Sequence, residues 1–207
     1  MRYSYIDEYA ELFSIILSVG YKKQYTTNSI ERAISYSPYF QAIEKDVLQI
    51  APLVNDKVLV KTIYPDLNID FSKITLYVHC VWAAESYLRI QGETGLTFEC
   101  IFLYIPLKKM YEYFPIYHEM DFSHILNEFQ RLYKTQSALS LILDRYGYSI
   151  EDVCKKTNIP YETLYSFKKR RRNIKKISVE VASALSYALN KRIETICELK
   201  VQNKVEI

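Results

Sequence analysis

The chain has 207 residues, 49% of them hydrophobic, and 27 Lys and Arg against 24 Asp and Glu give a net charge of +3, a composition that supports a core and excludes intrinsic disorder. Its four glycines, Gly20, Gly92, Gly95 and Gly147, never cluster ahead of a Lys-Ser/Thr pair, which excludes Walker and dinucleotide phosphate loops. No uncharged stretch exceeds the eleven residues of 33–43 or 74–84, against the roughly 20 that span a bilayer, so no membrane association is expected.

From the N-terminus, Ile6, Tyr9, Phe13, Ile16 and Leu17 recur on one helical face, as do Tyr39, Ile43, Val47 and Ile50. Asp7, Glu8 and Glu11 interrupt what would have to be a signal-peptide core, so no export is expected. Asn28 followed by Glu31 reads as a capping box, and Ser37-Pro38 puts a cap ahead of the residue best tolerated in a first turn. Alternation of Val58, Val60 and Thr62 suggests a strand at 57–63. A buried helix is expected at 72–90, its turn at 91–95, and a second helix at 96–114 interrupted at Pro106. Asp121 and Ser123 mark another helix start. No Gly/Ser/Pro linker follows, so a helix is expected to connect this α-rich part directly to the rest.

Residues 1–135 offer little catalytic chemistry. His118 and Glu119 are followed by His124, but a zincin pair sits at i and i+4, where this chain has Phe122; the histidines are expected to be structural or capping. Adjacent His79 and Cys80 leave a helix about 100° apart inside an apolar run and read as core residues. Glu85, Glu99 and Glu112 would serve as acid and base only if the fold brought two together. The four cysteines, Cys80, Cys100, Cys154 and Cys197, are 20, 54 and 43 residues apart, which suits free thiols in a reducing cytoplasm rather than a zinc knuckle or disulfide framework. No cofactor, metal or enzymatic activity is therefore expected. Of the 20 tyrosines 15 precede Thr135, which suits half-buried surface with wet hydroxyls, a ligand or partner surface being the alternative.

Charge divides the chain near Gln136. Residues 1–135 carry 13 Lys and Arg against 16 Asp and Glu, a balance of −3, whereas residues 136–207 carry 14 against 8, a balance of +6. In the basic part, Ser149 can cap a helix at 150–156, Asn158 can take a left-handed turn, and Pro160 can open a second helix at 161–169. This is a helix-turn-helix unit, with Val153, Cys154, Asn158, Ile159, Leu164 and Phe167 where the crossing helices must be apolar, small or permissive.

The unit resembles the lambda-repressor-like, or Xre, family of DNA-binding domains. Leu139 to Ser149 is similar to that family's first helix and its Gly-containing exit, Ser178 to Asn190 to its fourth helix and following turn, and Ile193 to Ile196 to the start of its fifth. The resemblance covers about residues 137–199. It departs at Cys154, where Ala is usual, at Asn158, where Gly is usual, and in a basic run where Glu-x-Gly often follows the recognition helix. With Leu164 and Phe167 inward, Tyr161, Glu162, Tyr165, Ser166 and Lys169 project from the other side. The resemblance implies base-edge contacts for Tyr161, Glu162 and Ser166, with Tyr165 or Tyr161 on a thymine methyl or a phosphate; an ordinary solvated face is the alternative. Phosphate contacts are expected from Ser149, Lys168, Lys169, Arg170, Arg171, Arg172, Lys175 and Lys176, unless the run is merely solvated or offsets its helix C-terminus.

The expected fold class is mainly α, with an α-rich domain at 1–135, a five-helix lambda-repressor-like domain at 136–199 and a tail at 200–207. The leading functional expectation is a cytoplasmic, sequence-specific transcriptional regulator that binds double-stranded DNA as a homodimer, its N-terminal domain serving dimerisation, ligand sensing or partner binding. The alternative is an antitoxin or phage-type inhibitor whose N-terminal domain binds a protein target while the helix-turn-helix autoregulates its operon. An enzyme within 1–135 ranks lowest.

Overall fold

The apolar repeat at the N-terminus forms α1 (Ile6–Lys22), which buries Tyr9, Phe13, Ile16 and Leu17. The structure, a computed structural model, describes residues 6–45, 56–67 and 74–201. Helix α1 packs along α5 (Val78–Thr94), and Phe13 meets Phe40, Tyr87 and Phe98 at ring-centroid distances of 4.8, 6.2 and 5.6 Å. Gly20 permits close approach at the end of α1, where a Cβ would lie 2.5 Å from the Tyr64 hydroxyl.

Helix α2 (Thr27–Tyr36) starts differently from the expected capping box. Thr26 is the N-cap and accepts the Ser29 N–H, while Glu31 turns into the protein interior to meet partners far away in sequence. Pro38 does open α3 (Pro38–Glu44), but the Ser37 hydroxyl makes no capping bond; Val47 and Ile50 lie outside the described residues. The expected strand at 57–63 is instead α4 (Asp56–Ile63). Leu59, Val60 and Ile63 form its buried face and Val58 stays exposed, so packing on α1 overrides the short alternation.

Helix α5 starts at Val78 rather than near 72, and residues 74–77 are not helical. It continues through the expected turn and Gly92 as far as Thr94, and Gly95 at φ 68° ends it in the left-handed conformation. The interruption at Pro106 is present, between α6 (Phe98–Tyr104) and α7 (Leu107–Tyr117), although α7 passes Phe114 and contains Pro115. Every residue of α6 is buried, and this short helix touches α2, α5 and α8 (Ser123–Thr135). Asp121 accepts the Ser123 N–H at the start of α8.

No single helix joins the two parts. Gln136 is extended and Ser137 caps α9 (Ala138–Tyr146), which is followed by α10 (Ile150–Thr157), α11 (Tyr161–Lys168), a 3-10 turn at Ile174–Lys176, α12 (Val179–Leu189) and α13 (Ile193–Ile196). The described residues contain no strand, and the fold is mainly α with the expected five α-helices in the C-terminal third.

Helices α9 and α13 dock on α6 through a continuous apolar core and a set of buried carboxylates. Glu44 accepts the Phe98 N–H at 2.6 Å and the Arg192 guanidinium at 2.7 Å. Glu31 accepts the Leu107 N–H at 2.6 Å and Arg145 at 3.1 Å. Glu99 accepts Lys191, the Tyr36 hydroxyl, the Thr195 hydroxyl and the Arg192 N–H. Burial pushes the Glu31 and Glu44 carboxyls up from the ordinary value, and Arg145 and Arg192 respectively pull them back.

A buried ion pair broken from one side leaves a charge without compensation. Arg192→Met is therefore expected to destabilise the full chain by about 3–5 kcal/mol in urea unfolding, with Glu44→Gln in the same chain returning part of the loss. A loss below about 1 kcal/mol, the range of surface pairs, would show that the contact does not hold the two parts together.

Candidate nucleic-acid interface

Local sequence sets the α10-turn-α11 geometry. Ser149 accepts the Asp152 N–H at 3.0 Å and donates its hydroxyl proton to the Asp152 carboxylate at 2.6 Å. Glu151 and Asp152 occupy the first turn of α10 and Lys155 and Lys156 the last, the charge order that suits the helix dipole. Asn158 takes the left-handed conformation at φ 56°, and its N–H closes on the Cys154 carbonyl. Pro160 is the N-cap of α11, whose Leu164 and Phe167 are buried, while α10 packs on α12 and α11 on α9.

The opposite side of α11 faces solvent. Tyr161 and Tyr165, one turn apart, stack at 5.9 Å with only 12° between their planes. Glu162 is exposed beside them and Ser166 is half-buried. The basic segment begins where α11 ends: the Arg171 N–H bonds the Ser166 carbonyl and the Arg170 N–H the Phe167 carbonyl, which is a Schellman closure with Arg170 in its left-handed position at φ 54°. Lys169 and Arg171 lie 5.9 and 5.5 Å from the Tyr165 ring. Arg172 and Lys176 flank a groove of about 450 Å³ formed with Thr163, Phe167, Ile177 and Val181 between α11 and α12.

Residues 138–202 match the family model of the Cro/C1-type HTH DNA-binding domain. The C-terminal third is a Cro/C1-type helix-turn-helix domain. No curated protein and no solved structure matches the chain. The Cro/C1-type domain supports DNA as a partner and a DNA-binding regulator as the broad function. Among the described residues no helix is long and apolar enough to cross a membrane.

Within this domain, Tyr161, Glu162, Tyr165 and Ser166 share the outer side of α11, while the basic residues fall into two groups. Lys169, Arg171, Arg172 and Lys176 are exposed and have no ion-pair partner among the described residues. Lys168 pairs with Asp144 at 3.4 Å, and Lys175 donates to the Tyr133 hydroxyl at 3.1 Å. Ser149 is exposed with its hydroxyl engaged in capping.

Arg170 turns inward, a placement the charge run does not reveal. Its guanidinium bonds the Gln136 carbonyl at 2.7 Å, the Tyr104 hydroxyl at 3.2 Å and both carboxylate oxygens of Glu198 at 2.9 and 3.0 Å. Glu198 is buried and also accepts the Ala138 N–H at the start of α9. The left-handed slot that favours glycine thus holds an arginine whose side chain fastens the basic segment to α6 and α9. The one sequence cue is an arginine standing where the related pattern has glycine.

The fold does not gather the N-terminal candidates into one site. His118 Nδ1 lies 2.8 Å from the Phe114 carbonyl, His124 faces the Tyr117 ring, and the described residues contain no group of three or more metal-ligating side chains. Cys80 is buried 3.5 Å from the Tyr111 hydroxyl. His79 is only half-buried among Tyr21, Tyr77, Tyr111 and Phe114, and desolvation pushes its pKa down. Glu99 joins the buried network, Glu112 pairs with Lys109 at the surface, and Glu85 lines a separate cavity.

Two outcomes follow for the domain. Leu164→Ala or Phe167→Ala should cost about 2–5 kcal/mol in denaturant unfolding, whereas Glu162→Ala and Ser166→Ala should leave the midpoint nearly unchanged; the reverse ranking would place the buried face of α11 wrongly. Arg170→Ala should destabilise the chain by about 1–3 kcal/mol, because the buried Glu198 carboxylate is deprived of its charged partner. An unaltered unfolding midpoint for that variant would show that Arg170 does not fasten the segment.

Proposed function

We propose that the protein is a sequence-specific transcriptional regulator acting in the cytoplasm, rather than an enzyme, and that α11 enters the major groove of double-stranded DNA. The observation that carries this reading is the juxtaposition of the Tyr161–Tyr165 stack, Tyr161 exposed and Tyr165 half-buried, with Lys169, Arg171, Arg172 and Lys176, four cations at or beyond the end of the same helix with no ion-pair partner among the described residues. Glu162 suits a cytosine amino group, Ser166 several base edges, and the tyrosines a thymine methyl or a phosphate. The four cations suit the passing phosphate backbone. Arg170 is left out of the contact set because its guanidinium is committed to Glu198. Lys168, Lys175 and Ser149 would join only by exchanging their present partners.

One such helix reads a few base pairs, so the reading includes a homodimer on two half-sites, with residues 1–135 serving pairing or sensing. The exposed Tyr21, Leu76 and Val78 beside Tyr77 favour a second reading of that part, a surface for a protein target, as in an antitoxin that also controls its own operon.

Selection of bound duplexes from random oligonucleotides is expected to return a palindromic or directly repeated site. On that site, neutralising Lys169 and Arg171 should lower the slope of log affinity against log salt by about 0.9 for each phosphate that the protein no longer neutralises. An unchanged slope in a folded variant would assign these cations to solvent or to a protein partner.

A further inference from the structure

Away from the basic segment, α5 and the connection between α7 and α8 line a cavity of about 180 Å³ that is open on one side. This is slightly larger than an engineered cavity of about 150 Å³ that holds benzene, and smaller than the pockets of roughly 300–1,000 Å³ that take drug-sized molecules. Trp82, Glu85 and Arg89 project into it from one face of α5, and His118, Asp121 and Phe122 close the other side.

The polar groups here are committed to different degrees. Arg89 Nε is buried without a hydrogen-bond acceptor among the described residues, although buried donors are nearly always met. Glu85 precedes Arg89 by one helical turn, a spacing at which the two side chains commonly pair, yet no ion pair joins them among the described residues. The Arg89 guanidinium instead lies over the Phe122 ring at 5.6 Å. Asp121 stands at the exposed rim, where the Ser123 hydroxyl and the Ser123 N–H, which bonds Oδ1 at 2.8 Å, hold its carboxyl below the ordinary carboxylate value. His118 Nδ1 lies 2.8 Å from the Phe114 carbonyl and Nε2 lies 3.6 Å from the exposed Glu119. Among the described residues no ion pair joins Arg89 to Glu85 or Asp121, although Arg89 is near enough to help hold the Asp121 carboxyl down, and Trp82 and Phe122 line the same cavity.

We infer that this cavity binds a small zwitterion of the α-amino-acid class, its carboxylate on Arg89 and its ammonium toward Glu85 and Asp121. The planar guanidinium matches a carboxylate in a way that a point charge does not. A phosphate or simple carboxylate would face the two acids without compensation, and a simple amine would face Arg89 in the same way. Trp82 and Phe122 supply the apolar surface for the ligand side chain. Helix α8 starts beside this cavity and reaches Tyr133, which receives the Lys175 hydrogen bond and lies 5.3 Å from the Arg170 guanidinium, so an occupant would sit at one end of a helix whose other end meets the basic segment.

The test uses the full chain without DNA, so its outcome is independent of the DNA-binding reading. Thermal unfolding and titration calorimetry are run with each proteinogenic L-amino acid, and with acetate, methylamine and inorganic phosphate as separate probes. At least one amino acid is expected to give a saturable rise in Tm and a single-site isotherm that the three simple ions do not reproduce. Arg89→Gln and Glu85→Gln should each weaken that binding by about tenfold or more, with unfolding in the absence of amino acid close to that of the parent chain. Glu85→Gln serves as the readout by itself if Arg89→Gln does not fold. Absence of binding for every amino acid, parent-like binding by both folded variants, or an equal response to acetate, methylamine or phosphate would each overturn the proposal.

Discussion

Carboxylates buried at the starts of helices are the constraint on which this structure turns. Glu44 meets the first N–H of α6, Glu31 that of α7 and Glu198 that of α9, while Glu99 meets the N–H of Arg192, the residue that caps α13. Helix starts present unpaired N–H groups and the positive end of the dipole, so each carboxylate occupies a site that favours its charge. Those backbone bonds alone would still leave net negative charge in the interior. Arg192, Arg145, Arg170 and Lys191 complete the compensation, and all four come from the C-terminal third. The fold of the first part and the seat of the helix-turn-helix domain are therefore one electrostatic problem with one solution.

That solution ties α6 to the DNA-binding domain. Every residue of α6 is buried, Glu99 within it receives Lys191, and Tyr104 at its end shares Glu198 with Arg170. Through Arg170 the same network fixes where the basic segment leaves α11. The run of cations is thus divided by position, with the Arg170 guanidinium tied to the buried Glu198 and its neighbours Lys169, Arg171 and Arg172 open to solvent. The docking also accounts for the opposite charge balances of the two parts. Some of the negative charge in residues 1–135 lies at the boundary and is neutralised there by cations of the C-terminal third.

Expectations resting on one helix or one turn hold where nothing distant competes for the same side chain. Ser149, Asn158, Pro160, Leu164 and Phe167 play the local parts their spacing suggests, and the repeat in α1 forms the expected helix. The departures share a cause. Glu31 has the spacing from Asn28 to close a capping box, yet Leu107 and Arg145 claim its carboxylate. The alternation at 57–63 is only a few residues long, and packing of Leu59, Val60 and Ile63 on α1 converts it to a helix. Gly92 sits in a plausible turn, but the helix continues through it to the left-handed Gly95.

The sequence by itself determined the mainly helical class, the helix-turn-helix with its buried and outward faces, and the position of the basic segment after the second helix. These follow from periodicities, caps and turn residues that act within a few positions, where chain connectivity already holds the interacting groups together. Only the tertiary structure decided which charges face inward. Glu31 and Arg145 are separated by 114 residues, Glu44 and Arg192 by 148, and nothing local distinguishes these side chains from solvated ones. A carboxylate is tolerated in the interior only when its helix N–H and its cation arrive together, a condition that exists only after the helices have packed.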